Sequence, residues 1–185
     1  TACELARKDD KENLQSISFD YAQSLYDLGD YAGADAIYRK MLAQDKADQA
    51  AMAGLARNMI EREQYSEAIE MLDKCQKYDA DYSEIYHFKM QAYDKLGETS
   101  KAIDAGLEWL DKNDDANIEA IDKVMLKRLN YAEASIKTRI KKTENRFQWM
   151  AFLCQFYETS HQYAEAVRTY DALEAEFGHY DEINV

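Results

Sequence analysis

The sequence contains no proline and only six glycines in 185 residues. An all-β sandwich or barrel needs many turns, and turns recruit both residue types, so this composition argues against that class. The sequence also has no apolar run long enough to cross a bilayer and no charged-then-apolar secretion signal at its start. Apolar residues make up 46% and aromatic residues 12%, which is too much for a disordered acidic chain. The class that remains after these exclusions is a helical, acidic protein.

Residues that could form a metal or catalytic centre are few and scattered. The three cysteines are an odd number without CxxC spacing, and the three histidines form no HExxH motif. No glycine-rich phosphate loop and no GxSxG turn is present. We therefore expect no catalytic residue, no metal site and no cofactor, and we interpret the cysteines as small apolar core residues. The residues concerned are Cys3, Cys75, Cys154, His87, His161 and His179.

The charge of the chain limits its partners. Asp and Glu number 36 against 23 Lys and Arg, for a formal charge of −13. A nucleic-acid backbone is repelled by such a surface unless a local basic region overrides the repulsion, so nucleic acid is disfavoured as a partner.

Small and aromatic residues recur at a fixed distance along the chain. Tyr31 and Ala34 are followed 34 residues later by Tyr65 and Ala68, and Ala22 recurs as Ala56. The pattern continues at Thr99 with Ala102, at Tyr131 with Ala134, and at Tyr163 with Ala166. A period of this size is typical of helical repeat proteins.

Within each unit, apolar residues recur three and four positions apart. This spacing predicts two amphipathic helices joined by a tight turn. In the first turn Gly29 suits the left-handed C-cap and Asp30 suits the N-cap of the next helix. Six alanines are expected where the paired helices cross, since close packing needs small side chains there. They are Ala22, Ala34, Ala56, Ala68, Ala102 and Ala166. The predicted helices are 14–28 and 31–44, 49–62 and 65–77, 83–96 and 99–112, 116–128 and 131–143, and 146–159 and 163–177.

These features resemble the tetratricopeptide repeat family. The matching stretches are LGDYAGADAIYRKML, EQYSEAIEMLDKC, LGETSKAIDAGLEWL, NYAEASIKTRI and QYAEAVRTYDALEAEF. The resemblance implies an all-α, right-handed superhelical solenoid of about five helix-turn-helix repeats. Two departures stand out: Lys46, Ala80 and Asp114 take the place of the family's proline at the end of a unit, and the fourth unit lacks the glycine and is shortened near its turn.

The resemblance divides the chain into an N-terminal segment or partial cap (1–14), the repeat array (15–177) and a short tail (178–185). The units are 15–48, 49–82, 83–116, 117–145 and 146–177. Because the terminal units of a solenoid usually need a polar cap, we expect either a longer parent chain or a partner that covers one face.

The resemblance also implies a non-catalytic scaffold that binds a peptide or a segment of a partner protein in a concave groove lined by the first helix of each unit. The paired Lys and Arg with which family members grip chaperone C-termini are absent from the matching positions. For Phe19 and Phe88, packing against the next unit is an equally good interpretation. The predicted groove residues are Phe19, Gln23, Tyr26, Arg57, Glu61, His87, Phe88, Gln91, Phe152 and Gln155.

One stretch reverses the acidic character of the chain. Residues 123–146 contain eight cations and two acids. They are interpreted either as a docking patch for an acidic partner, membrane surface or RNA, or as a solvated face that compensates acidic neighbours. The predicted basic patch consists of Lys123, Lys127, Arg128, Lys137, Arg139, Lys141 and Lys142.

Other functions stay open at this point. The chain also fits a non-catalytic helical module of a larger enzyme or of a secretion or envelope assembly, and an RNA-binding helical array with a similar period. The sequence leaves the oligomeric state and the compartment open: both a cytoplasmic chain and a periplasmic chain with its signal removed are compatible with it.

Overall fold

The computed structural model describes residues 2–113 and 115–178, with side chains from residue 13 onward. These residues form helices and turns, with no strand among them. The helices are α1 (Ala2–Asp27), α2 (Tyr31–Gln44), α3 (Gln49–Glu61), α4 (Tyr65–Tyr78), α5 (Glu84–Lys95), α6 (Thr99–Lys112), α7 (Ile118–Met125), α8 (Leu129–Ile140), α9 (Arg146–Thr159) and α10 (Tyr163–Phe177), with a 3-10 turn at Leu126–Arg128.

Consecutive helices pair into hairpins, which we number as units one (α1, α2) to five (α9, α10). In four units one residue at the same point of the turn has a positive φ: Gly29, Glu63, Gly97 and His161. This left-handed residue ends the first helix and reverses the chain. The glycine expectation is therefore correct in units one and three, whereas Glu63 and His161 adopt the same conformation at φ values of 61° and 60°.

Side-chain caps start several of the helices. Asp30 Oδ1 accepts the Gly33 N–H at 2.9 Å, and Asp48 Oδ1 accepts the Ala51 N–H at 2.9 Å. Asn117 does the same for the Ala120 N–H at 3.0 Å. Asp48 and Asn117 thus begin two of the three helices that follow a missing proline, because their side chains satisfy free N–H groups of the first turn. The third, α5, follows Ser83, whose side chain makes no cap.

The predicted small residues lie at the helix crossings. Ala22, Ala34, Ala56 and Ala68 are all fully buried. The close approach continues between units one and two, where a Cβ on Gly54 would lie 2.4 Å from Cζ of Tyr38. The ring of Tyr38 in α2 therefore packs directly on the backbone of α3.

Unit four departs from this geometry. Its helices α7 and α8 are joined by the 3-10 turn without an intervening loop, and they pack little against each other. Ala134 recurs in the sequence pattern, yet the structure exposes it and buries Ala132 and Ile136 completely. The physical reason is the shortened turn, which changes the phase of α8 relative to α7.

The ends of the array are described only in part. Helix α1 begins at Ala2, so residues 2–14 belong to the first helix. Gly178 follows α10, and the remainder of the predicted tail lies outside the described residues.

The contacts between helices of neighbouring units show which side of the stack is the inner one. In units one to three the backbones of the first helices come close, α1 to α3 and α3 to α5. Among the described residues, the second helices α2, α4 and α6 approach each other little or not at all. Since the first helices are closer together, they lie on the inside of the curve. At unit four the order reverses, because α6 and α8 come close instead.

Candidate functional site

The inner surface of units one to three is the candidate site, and we call it the first-helix face. It is formed by side chains of α1, α3 and α5 that point away from the second helices. Of the predicted groove residues, Gln23, Tyr26, Arg57 and Glu61 meet on this face in one connected network.

Arg57 is the centre of that network. Its Nη2 donates to Oε1 of Gln23 at 2.7 Å, and its guanidinium carbon lies 3.6 Å from the ring centroid of Tyr26. The Tyr26 hydroxyl in turn donates to Oε1 of Glu61 at 3.0 Å. A planar guanidinium suits both contacts, because it can stack on an aromatic ring while its N–H groups donate at the edge. The network therefore ties α1 to α3 and holds four side chains in defined positions.

The Tyr26 phenol of this network stays protonated around neutral pH. Burial, followed by the hydrogen bond to Glu61, raises the pKa of Tyr26 to about 12. The phenol therefore remains a proton donor at any physiological pH.

His87 and Gln91 meet one turn apart on α5. Nε2 of Gln91 lies 2.9 Å from Nε2 of His87, and the imidazole stacks on the Trp109 ring with centroids 4.2 Å apart. Burial lowers the pKa of His87, and the carboxylate of Glu84 opposes that shift only in part. The neutral ring is favoured here, because stacking and burial both penalise the imidazolium. Sequence reasoning missed Trp109, which lies on the second helix of the unit.

The predicted aromatic anchors are divided between the core and the surface. Phe19 and Phe88 are partly buried and pack against the core, and the ring centroid of Phe19 lies 6.0 Å from that of Tyr38. Phe152 is only 5% exposed and stands edge-on to Trp149, so its ring is part of the core and not of an open surface. Gln155 is exposed on α9 and joins none of the networks above.

The predicted basic patch is mostly engaged with neighbouring polar groups. Lys127 pairs with Asp94, and Arg128 donates to the Ser100 hydroxyl. Lys137 lies 2.6 Å from Glu133, and Arg139 pairs with Asp111 and lies 2.6 Å from Glu108. These pairs join cations of unit four mainly to acids of unit three. The remaining three cations are exposed: Lys123, Lys141 and Lys142.

A second concavity lies on the opposite side of the stack, between α6 and α8, with a volume of about 560 Å³. Asp104, Glu108 and Asp111 of α6 form one wall, and Arg139 crosses to them from α8. Nε1 of the buried Trp149 donates to Oδ1 of Asp111 at 3.0 Å, and burial raises the pKa of that carboxyl. The cleft lies beside the irregular unit, where α6 and α8 come close.

The thiols that the structure describes belong to the core. Cys75 and Cys154 are free and fully buried, and burial raises the pKa of each to about 11. Both stay protonated at neutral pH, where a thiol is a weak nucleophile. Separately, none of the helices among the described residues is long and apolar enough to cross a membrane.

Comparison with known proteins identifies the repeat. Residues 25–89 match the family model described as tetratricopeptide repeat. No curated protein sequence matches the chain.

Solved structures with this fold extend the likeness to most of the chain. TTC0263, a tetratricopeptide repeat protein of Thermus thermophilus, is 19% identical, with 91% of this chain and 94% of that chain covered at a TM-score of 0.56. YrrB, described as having an unusual peptide-binding site, is 16% identical, with 94% and 93% covered at a TM-score of 0.54. The second repeat domain of human RPAP3, solved with the HSP70 peptide SGPTIEEVD, is 22% identical, with 60% and 96% covered at a TM-score of 0.54. Residues 25–89 of this chain thus match the tetratricopeptide repeat family model, and most of the chain has the fold of solved tetratricopeptide repeat proteins.

Proposed function

We propose that the chain is a non-catalytic scaffold that binds an extended segment of a partner protein along the first-helix face. The observation that carries this proposal is the network of Gln23, Tyr26, Arg57 and Glu61, which spans two units on the inner side of the curve. Amides and aromatic rings held in fixed positions suit an extended peptide, whose backbone needs hydrogen-bond partners and whose side chains need apolar contact.

The charge of the first-helix face favours a particular kind of segment. Glu61 and Glu84 are exposed on it, and the exposed acid Asp20 continues the same side of α1. Its cation Arg57 is already engaged by Gln23 and Tyr26. A segment rich in Lys or Arg is therefore attracted, whereas a C-terminal carboxylate is repelled. The peptide SGPTIEEVD in the RPAP3 complex is acidic, so we expect a different preference here.

The test begins with a displayed library of random peptides, from which we expect basic sequences to be selected. A selected peptide is then titrated against the wild type and the variant Glu61→Lys by fluorescence anisotropy. Charge reversal should weaken binding roughly tenfold, since that corresponds to a loss of about 1.4 kcal/mol.

The matched control is Glu70→Lys, which makes the same charge change at an exposed position of the second helix α4. It should leave the affinity within about twofold, because a charge on the far side is screened over the thickness of the stack. The proposal fails if no peptide is selected, or if both variants weaken binding equally.

Two further variants test the contacts by truncation. Arg57→Ala removes the centre of the network, and Phe88→Ala removes a half-buried ring beside His87. Each should weaken the selected peptide while the far-ultraviolet circular dichroism stays helical. If neither changes the affinity, the first-helix face is not the binding surface.

A further inference from the structure

Helix α1 carries an unusually apolar outer side, which we call the α1 face. Leu14, Ile17, Tyr21 and Leu28 are 61%, 63%, 56% and 82% exposed. Their spacing of three, four and seven residues places all four on one side of the helix. Isolated apolar residues are common on protein surfaces, but an aligned row of large side chains marks an interaction surface.

Helix α10 carries two large exposed apolar residues one turn apart on its outer side, which we call the α10 face. Tyr163 is 60% exposed and Val167 is 58% exposed, with Asp171 exposed one further turn along. Phe177 lies instead on the stripe that faces α9, where its ring centroid is 5.5 Å from that of Phe147.

The repeat shows what such faces do inside the molecule. The residues 34 and 68 positions after Ile17 are Ala51 and Ile85, and both are fully buried. Likewise, Leu55 and Lys89 stand in the place of Tyr21 and are 0% and 8% exposed. They are buried because the second helix of the preceding unit packs there, α2 on α3 and α4 on α5.

The α10 face is the other half of that junction. Ile103 of α6, which occupies the position of Val167, is fully buried, and Ile69 at the same position of α4 is partly buried against the core. One copy of the chain therefore exposes both halves of a junction that it buries repeatedly within itself. We propose that the α10 face of one copy packs against the α1 face of a second copy, so that copies associate head to tail.

The polar contacts of the internal junctions support this pairing. Between α4 and α5, Lys89 Nζ lies 2.5 Å from the Asp73 carboxylate. In the repeat, Tyr21 of the α1 face corresponds to Lys89, and Asp171 of the α10 face corresponds to Asp73. Between two copies, the Tyr21 hydroxyl can therefore donate to the Asp171 carboxylate in place of the internal ion pair.

At a second pair of equivalent positions, an internal ion pair corresponds to two apolar residues on the exposed faces. Between α2 and α3, Arg62 lies 3.3 Å from Asp35. The corresponding residues on the two faces are Leu28 and Val167, both exposed in one copy. Association of two copies would bury this pair, which favours a second copy as the occupant over a polar partner.

Charge predicts how salt affects the association. Each copy carries a formal charge of −13, so two copies repel each other at low ionic strength. Salt screens this repulsion and leaves apolar contacts intact, so association should strengthen as salt is added. An interface built on ion pairs would respond in the opposite direction.

The test is sedimentation equilibrium of the full chain over a range of concentrations, at low and at high salt. The average mass of the wild type should rise with concentration from that of one chain toward multiples of it, and it should rise further at high salt. Ile17→Glu blocks the α1 face and Val167→Glu blocks the α10 face, so each variant alone should keep the mass of one chain. An equal mixture of the two should form complexes of two chains and no more, because each variant retains one opposite face.

Leu126→Glu is the control, since Leu126 is 42% exposed and lies on neither face. It should associate like wild type. If a glutamate variant loses its helical circular dichroism, Tyr21→Lys and Tyr163→Lys provide the same two blocks. The proposal is overturned if wild type keeps the mass of one chain under all conditions, or if the mixture of blocked variants shows no doubling.

Discussion

Units one to three and unit four are built from similar segments but stack differently. In units one to three the first helices come close and the network around Arg57 joins α1 to α3. At unit four the second helices α6 and α8 come close instead, and Arg139 joins them. The difference shows that the turn inside a unit decides which side of the stack closes. A left-handed turn residue gives the regular hairpin, and its omission between α7 and α8 opens a cleft.

A buried polar group sets unit four apart from units one and two. Ala22 and Ala56 are fully buried where the helices of units one and two pack. In α7 of unit four, Asp122 is only 6% exposed and accepts the Thr159 hydroxyl at 3.3 Å through one oxygen. Its other oxygen has no hydrogen bond to a described residue. Unit four therefore buries a carboxylate with one unpaired oxygen.

The largest expected effect concerns the tight junction between units one and two. Gly54→Ala would place its Cβ 2.4 Å from Cζ of the fully buried Tyr38. The ring has no space to move, so the free energy of unfolding should fall by about 1–3 kcal/mol. Urea denaturation followed by circular dichroism measures this loss.

Gly106→Ala is the matched control near unit four. Its Cβ would meet Sδ of Met90 at 2.9 Å, and a flexible methionine side chain can move aside. We expect a loss of less than about 1 kcal/mol. Equal losses in the two variants would contradict the contrast between a tight and a yielding junction.

The second prediction is a gain in the free energy of unfolding, from a change at Asp122. Burial raises the pKa of Asp122, and the hydrogen bond from Thr159 opposes this shift only in part. The unfolded chain therefore loses this proton first, so the destabilisation is absent below about pH 3.9 and grows as pH rises through the folded pKa. Asp122→Asn keeps an acceptor for Thr159 and should stabilise the protein by about 1 kcal/mol at pH 7.

Thermal unfolding at pH 4 and pH 7 tests this expectation. The gain in stability should be larger at pH 7 than at pH 4. A variant that gains nothing at pH 7 would show that the carboxylate of Asp122 is not the weak point of unit four.

A smaller loss is expected when the bridge across the cleft is removed. Arg139 is 21% exposed and contacts the carboxylates of Glu108 and Asp111. Because these pairs are partly exposed, Arg139→Ala should cost about 0.5–1 kcal/mol, and less at high salt. Arg62→Ala, which removes the 3.3 Å pair with Asp35, should cost less because Arg62 is 47% exposed. Denaturation at two salt concentrations compares them, and a greater cost for Arg62→Ala would reverse the expected order.

The smallest effect is the pH response of His87. Because burial lowers its folded pKa, the stability contribution is complete above the unfolded pKa of about 6.5 and is lost as pH falls through the folded pKa. Glu84 is nearby and favours the charged ring, while Trp109 and Gln91 favour the neutral one. His87→Gln cannot titrate and should flatten the dependence of unfolding on pH between 7 and 5, by about 0.5 kcal/mol. An unchanged pH profile would contradict the burial of a neutral ring.

Sequence reasoning predicted the repeat well because a recurring pattern constrains many residues at once. The bounds of α2, α6, α9 and α10 agree with the predicted helices, and Ala22 and Ala34 lie where expected. The phase of α8 could not be predicted from the repeat, because a shortened turn shifts the helix without changing its apolar pattern. Ala134 matches the sequence pattern but is exposed, whereas Ala132 is buried.

Side-chain partners of the candidate site were harder to predict. Helical phase places Gln23, Arg57 and Glu61 on one side, but it does not show which neighbour each one contacts. Phe152 has a suitable phase for the groove and is nevertheless 5% exposed, because its ring packs edge-on against the buried Trp149. The stack of His87 on Trp109 likewise depends on how far α6 lies from α5.

The central claim is that a partner segment binds to the first-helix face and not to the cleft beside unit four. The most direct measurement is an amide chemical-shift map of the isotope-labelled chain, recorded with and without a library-selected basic peptide. We predict that the shifts concentrate in α1, α3 and α5, around Gln23, Arg57 and His87. Shifts concentrated instead in α6 and α8, around Glu108 and Arg139, would contradict the claim.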